Sequence, residues 1–174
     1  LWFAVAPDEQ LIIYRELYVS KVLATDLADM VLDLESEEKI RYGVLDSSLW
    51  HKRGDTGPSL AEQMIVKGCR WRPADRSKGS RVAGKNELHR RLQIDEFTEE
   101  PRLVFFNNCY NTISQLPSLP LDKNNPEDVD TRSEDHIYDA LRYGIMTRPR
   151  SNLFDYNSET QRSGFQAADS IFGY

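Results

Sequence analysis

The chain has 174 residues, of which 40% are hydrophobic and 29% charged, and carries a net charge of −6. That length suits one domain with its own core, and that composition excludes a disordered chain. No apolar run approaches the ~18–20 residues needed to cross a bilayer, and no basic start followed by an apolar stretch resembles a signal peptide, so the expected compartment is the cytoplasm.

The chain opens at Leu1 inside an apolar run, Leu1 to Ala6, with no initiator methionine. Such a start reads as a cut, with the preceding residues expected in the same sheet. Trp2 to Ala6 and Leu11 to Val19 are rich in aromatic and β-branched residues, and Pro7-Asp8-Glu9-Gln10 supplies turn chemistry between them, which predicts a β-hairpin. From Val22 to Ile40 the apolar residues Val22, Leu23, Leu27, Met30, Val31 and Leu34 recur at spacings of three and four, the pattern of an amphipathic helix. A strand, Tyr42 to Leu45, then ends at Asp46.

Pro58 occupies a first-turn position, so Pro58 to Lys67 reads as a short helix closed by Gly68 and followed by a strand, Cys69 to Pro73. Ser80 to Leu92 reads as a basic helix with Val82, Leu88 and Leu92 inward and Arg81, Lys85, Arg90 and Arg91 toward solvent or a ligand. Leu103 to Phe106 is a compact apolar strand, Asn108 to Leu116 a short helix, and Pro117 to Asp130 a polar loop. The last helix, Ser133 to Thr147, stacks Ile137, Ala140, Leu141 and Ile145 on one stripe, with Ser133 as its cap. The domain is expected to span residues 1–149, and residues 150–174 to form a polar tail. The element order predicts an α/β fold with mixed strand directions.

Charge is segregated along the chain. Residues 67–91 contain nine basic and two acidic side chains, a local balance of +7 that leaves −13 on the remainder. A phosphate-facing edge beside an acidic site would give this pattern, and so would a solvated helix face. Cys69 and Cys109 are the only cysteines, without CxxC spacing, and read as buried thiols rather than a zinc site or disulfide framework. The sequence has no GxxxxGK[ST] loop, so ATP hydrolysis by this chain is not expected.

Two places can carry acid chemistry. Asp46 closes a strand, where α/β folds place functional groups at the carboxyl end; the alternative is a turn aspartate bonded to its own backbone. In the last helix Asp135 and Asp139 are spaced i, i+4 and His136 and Asp139 i, i+3, so all three can approach one ligand. Clustered carboxylates bind hard divalent cations, and two cations about 4 Å apart can drive phosphodiester hydrolysis. The alternatives are an Asp135 that favours the helix start, a His136 that is a surface or capping group, and an Asp139 paired with Arg142 or Arg132. Glu16, in a predicted strand, is either an edge residue or a support for the site. Trp2, Trp50 and Trp71 read as packing residues.

Four segments together resemble large terminase subunits of tailed phages: Ile13-Tyr14-Arg15-Glu16-Leu17-Tyr18, Asp46-Ser47-Ser48-Leu49-Trp50, Gly57-Pro58-Ser59-Leu60-Ala61-Glu62 and Asp135-His136-Ile137-Tyr138-Asp139-Ala140-Leu141-Arg142-Tyr143. The resemblance covers about Leu1 to Arg148, and the last segment is its most specific part. It implies the RNase H-like nuclease domain that follows an ATPase motor in such proteins, a mixed β-sheet flanked by helices, here lacking its first strand. It further implies a two-metal Mg²⁺ or Mn²⁺ endonuclease acting on concatemeric double-stranded DNA, with the small terminase subunit and the portal as partners. By resemblance Asp46 is the second catalytic and metal-binding carboxylate and Asp139 the third, with His136 accessory and Asp135 a competing assignment. The first aspartate has no counterpart and is expected upstream of Leu1, so little or no cleavage is expected from this chain alone. Arg76, Lys78, Arg81, Lys85, Arg90 and Arg91 become the expected DNA-backbone contacts. A non-catalytic DNA-binding or docking module and a resolvase-like nuclease of the same fold are the competing readings.

Overall fold

The computed structural model describes residues 1–52, 57–120, 129 and 135–148. Strands β1 (Trp2–Val5) and β2 (Leu11–Arg15) form an antiparallel hairpin across the Pro7–Gln10 turn. Strand β5 (Leu103–Phe105) joins the other edge of β2 in parallel, so that Leu11 faces Leu103 and Ile13 faces Phe105. Strands β3 (Gly43–Leu45) and β4 (Trp71–Pro73) pair in parallel as a second, two-stranded sheet. The expected mixture of strand directions is therefore present, in two sheets.

Among the described residues, five helices pack around these strands: α1 (Ala24–Glu35), α2 (Leu60–Val66), α3 (Ser80–Leu92), α4 (Tyr110–Gln115) and α5 (His136–Thr147). Side-chain alternation along β2 gives the first sheet two buried faces. Leu11 and Ile13, both fully buried, pack with Leu103, Cys109, Leu88 of α3 and Ile137, Tyr138, Leu141 and Ile145 of α5. Tyr14 joins Trp2 on the opposite side, against Ala28 and Val31 of α1 and Met64 of α2. Each fully buried aliphatic side chain contributes roughly 1.5–3 kcal/mol relative to exposure, so these two clusters fix the helices to the sheet.

Two glycines set how closely α5 can approach its neighbours. A Cβ on Gly84 of α3 would lie 2.3 Å from Cγ of Arg142, and one on Gly144 would lie 2.4 Å from the Phe3 ring. Only hydrogen fits at either contact, so α5 lies directly on α3 and on β1.

Several boundaries differ from the sequence expectation. Strand β2 stops at Arg15 rather than Val19, because Glu16 leaves the sheet to bind α4. Helix α1 spans twelve residues rather than reaching from Val22 to Ile40; Val22 and Leu23 lie outside it and are exposed, and Ser36 ends it at a positive φ. Helix α2 begins at Leu60, not Pro58, since the Ser59 hydroxyl accepts from the Glu62 N–H while the Glu62 carboxylate accepts from the Ser59 N–H. Helix α5 begins at His136, and the expected cap Ser133, the rest of the 117–130 loop beyond Pro120 and Val129, and the 150–174 tail lie outside the described residues.

A cavity of about 900 Å³, lined mainly by apolar side chains, borders both β1 and β3, with Leu17, Val31, Met64, Ala140 and Gly144 on its walls. Among the described residues β1 pairs only with β2, and β3 only with β4. Each therefore turns an unpaired backbone edge away from its own partner strand.

Candidate active site

Asp46 follows directly after β3. Its Oδ1 accepts the Ser48 N–H at 2.7 Å, which caps the 3-10 turn Ser47–Trp50, and a guanidinium N–H of Arg76 at 3.3 Å. Its Oδ2 accepts the Tyr143 hydroxyl at 2.5 Å. Partial burial works against the charge, but the Tyr143 and Ser48 hydrogen bonds and the Arg76 charge outweigh it and hold the carboxyl at about 2. Asp46 is thus both the turn aspartate and a strand-end group aimed at the last helix.

Burial, the bond to Asp46 and the nearby charge of Asp139 raise the Tyr143 hydroxyl to about 12. Tyr143 lies one helical turn beyond Asp139, so both carboxylates act on the same phenol. Asp139 Oδ1 accepts from Arg81 Nη1 at 3.1 Å and from Arg142 Nη2 at 2.9 Å, while Asp135 Oδ2 accepts from Arg81 Nη2 at 3.3 Å. Arg81 therefore spans the two helix carboxylates, and its backbone carbonyl accepts the Tyr138 hydroxyl at 3.3 Å. Asp46, Asp135 and Asp139 belong to one network joined by Tyr143, Arg81 and Arg142.

The other expected site residues separate. His136 is exposed on the first turn of α5, and among the described residues no hydrogen bond or ion pair ties it to the three aspartates. Arg76, paired with Asp46, and Lys78 are both exposed. Lys85 and Arg91 turn inward, at 8% and 2% exposure, contrary to the expectation that they face solvent or a ligand. Arg91 donates to the carbonyls of Glu9 and Arg102 and to the Glu87 carboxylate, and Arg90 also binds Glu87. Of the two, Arg91 holds α3 to the hairpin turn, while Arg90 stays within the helix. Arg142 and Tyr143 were not among the expected site residues, although both stand in the Asp139–Tyr143 segment at i+3 and i+4 from Asp139, where helical side chains meet.

Glu16 stands outside this network: its carboxylate accepts from the backbone N–H groups of Asn111 and Thr112 and from both their side chains, fixing the start of α4. Cys69 and Cys109 are free and buried, and burial raises both thiols, so neither has the character of a nucleophile.

Among the described residues, no group of three histidine, cysteine or acidic side chains is placed to hold an ion. Asp46 and Asp139 offer carboxylate oxygens, but each is already neutralised by arginine, so the described donors do not fit a metal centre by themselves. Among the described residues, no helix is long and apolar enough to cross a membrane. Comparison of the chain with protein-family models, curated proteins and solved structures found no match.

Proposed function

We propose that the chain is the larger part of an RNase H-like nuclease domain of the large-terminase type, acting on the phosphodiester backbone of double-stranded DNA. The observation that carries this reading is the meeting of Asp46, from the tip of β3, with the Asp139–Tyr143 turn of α5 through a 2.5 Å hydrogen bond. Residues far apart in sequence converge there, with exposed Arg76 and half-exposed Arg81 beside them to receive phosphate. In this reading Tyr143 and Ser48 orient Asp46, and Arg142 orients Asp139.

Two divalent ions, Mg²⁺ or Mn²⁺, would supply water activation and leaving-group stabilisation only once a further carboxylate completes the donor set. The resemblance expects that carboxylate on a strand upstream of Leu1. The unpaired edges of β1 and β3 beside a shared apolar cavity support a place for such a strand. An ATPase motor, the small terminase subunit and the portal remain the expected partners, and the host cytoplasm the expected setting.

The test is nicking of supercoiled plasmid by the chain and by a version extended upstream of Leu1, with Mg²⁺, Mn²⁺ or chelator. The extended version is expected to cut only with a divalent ion, and the present chain little or not at all. An extended version that binds DNA and never cuts would favour the docking-module reading. Cutting confined to branched DNA would favour the resolvase-like one.

A further inference from the structure

From Leu103 to Pro120 the chain has no acidic, basic or histidine side chain, although 29% of its residues are charged. The segment covers β5, the turn after it and α4. Three of its apolar side chains face outward: Phe106 is 53% exposed, Tyr110 72% and Ile113 45%. Tyr110 and Ile113 stand at i, i+3 and share one face of α4. Asn107, Asn108 and Ser114 are exposed in the same segment, and neither the Asn107 amide nor the Tyr110 hydroxyl has a hydrogen-bond partner among the described residues.

The face is held in place from beneath. Glu16 accepts from the backbone and side chains of Asn111 and Thr112, Asn108 Nδ2 donates to the Tyr14 carbonyl at 3.2 Å, and Cys109 and Thr112 are fully buried. An aromatic face ordered before contact loses little entropy when it is covered. Absence of charge together with outward aromatic side chains marks the centre of protein contacts rather than ordinary surface. With no cation of its own the face cannot neutralise a phosphate backbone, and the flanking Arg102 is engaged by Asp95 and by the Asp8 carbonyl.

We propose that this face is where two copies of the chain meet about a two-fold axis. In such a contact one patch faces itself, so a charged patch repels its copy and a neutral one does not. Each copy carries a net charge of −6, which disfavours contact through acidic surface and favours it where no charge lies. The Asn107 amide and the Tyr110 hydroxyl each donate and accept, so either can bond to the same kind of group on the second copy. Phe106, Tyr110 and Ile113 supply the apolar centre of the contact. None of these residues belongs to the Asp46–Asp139 network, and the pairing stands independently of the nuclease reading.

Sedimentation equilibrium of the full chain measures the pairing. The wild type should form a dimer that tightens as NaCl is raised from about 0.05 to about 0.5 M, because salt screens the repulsion between like-charged copies and the contact has no ion pair to lose. Tyr110→Glu and Tyr110→Lys, both at an exposed position, should each weaken pairing by about tenfold or more, since each sets like charges into the shared contact. An equimolar mixture of the two variants should pair again, and damage to the fold of either one could not produce that recovery. A wild type that stays monomeric up to about 1 mM overturns the proposal. So does pairing that Tyr110→Glu leaves unchanged, or a mixture that does not recover. A monomeric upstream-extended version overturns it too, because the protein's own upstream part would then cover the face.

Discussion

The two ends of α3 use the same ion-pair chemistry to opposite effect. At the C-terminal end, one carboxylate, Glu87, binds three arginines, Arg90, Arg91 and Arg148, at 2.8–2.9 Å. Arg91 is buried there and spends its remaining donors on the carbonyls of Glu9 and Arg102, which ties the helix to the hairpin turn and to the residue before β5. At the N-terminal end, one half-exposed arginine, Arg81, serves two carboxylates, with Asp46 and Tyr143 close by. A guanidinium whose donors are consumed by backbone carbonyls in the interior is part of the scaffold. One that spans two carboxylates nearer the surface ties the start of α3 to the first turn of α5.

The contrast can be broken most severely at the closed end. Arg91→Ala removes a buried cation and strands its partners, with an expected loss of about 3–5 kcal/mol in a urea-unfolding measurement. A loss below about 1 kcal/mol would show that this corner does not hold the scaffold. The pH dependence should sharpen the same point. The Arg90 hydrogen bonds lead the effects that hold the Glu87 carboxyl at about 2, against an ordinary value of 4.5, with burial opposing. A depressed carboxyl stabilises the fold fully above its unfolded pKa and ceases to do so as pH falls through the folded one. The stabilisation, on the order of 2–3 kcal/mol, should therefore fade between about pH 4.5 and pH 2, and Glu87→Gln should flatten that part of the profile.

Smaller effects belong to the open end. Gly84→Ala would gain about 1 kcal/mol of helix propensity but press on Arg142, and overpacking of about 1–3 kcal/mol should leave a net loss of about 1 kcal/mol in thermal melting. A stabilised variant would mean that Arg142 can move away and that α3 and α5 are not tightly packed at Gly84. Tyr143→Phe should cost about 1 kcal/mol or less, because Asp46 remains partly exposed and keeps its Ser48 and Arg76 contacts. Its clearer signature is a rise of the Asp46 carboxyl pKa, measured by NMR titration; an unchanged value would remove Tyr143 from the network.

What could be read from the sequence follows from where the determining contact lies. The bounds of α3, Ser80 to Leu92, agree with the expectation, since Gly79 at a positive φ and extended Gln93 mark the ends locally. The early end of β2 depends on Glu16 meeting Asn111 and Thr112, a contact across most of the chain that local alternation cannot reveal. Charge alone placed Lys85 and Arg91 outward; the carbonyls that draw Arg91 inward come from the Pro7–Gln10 turn and from Arg102. Asp46 and Asp139 were legible as candidates because a strand end and a helical spacing are local features. Their arginine partners were not, apart from Arg142, because Arg76 reaches Asp46 through the pairing of β3 with β4, and Arg81 reaches Asp135 and Asp139 through the packing of α3 on α5. The division into two sheets also escaped the sequence, which marks strands but not which edges meet.

The most direct measurement compares plasmid nicking by the upstream-extended protein with that of its Asp46→Asn and Asp139→Asn variants, all shown to melt at similar temperatures. If the two aspartates serve one phosphodiester-cleaving site, each substitution should lower the metal-dependent rate by about a thousandfold or more, equivalent to about 4 kcal/mol of transition-state stabilisation. Wild-type cutting by either variant would contradict a shared site.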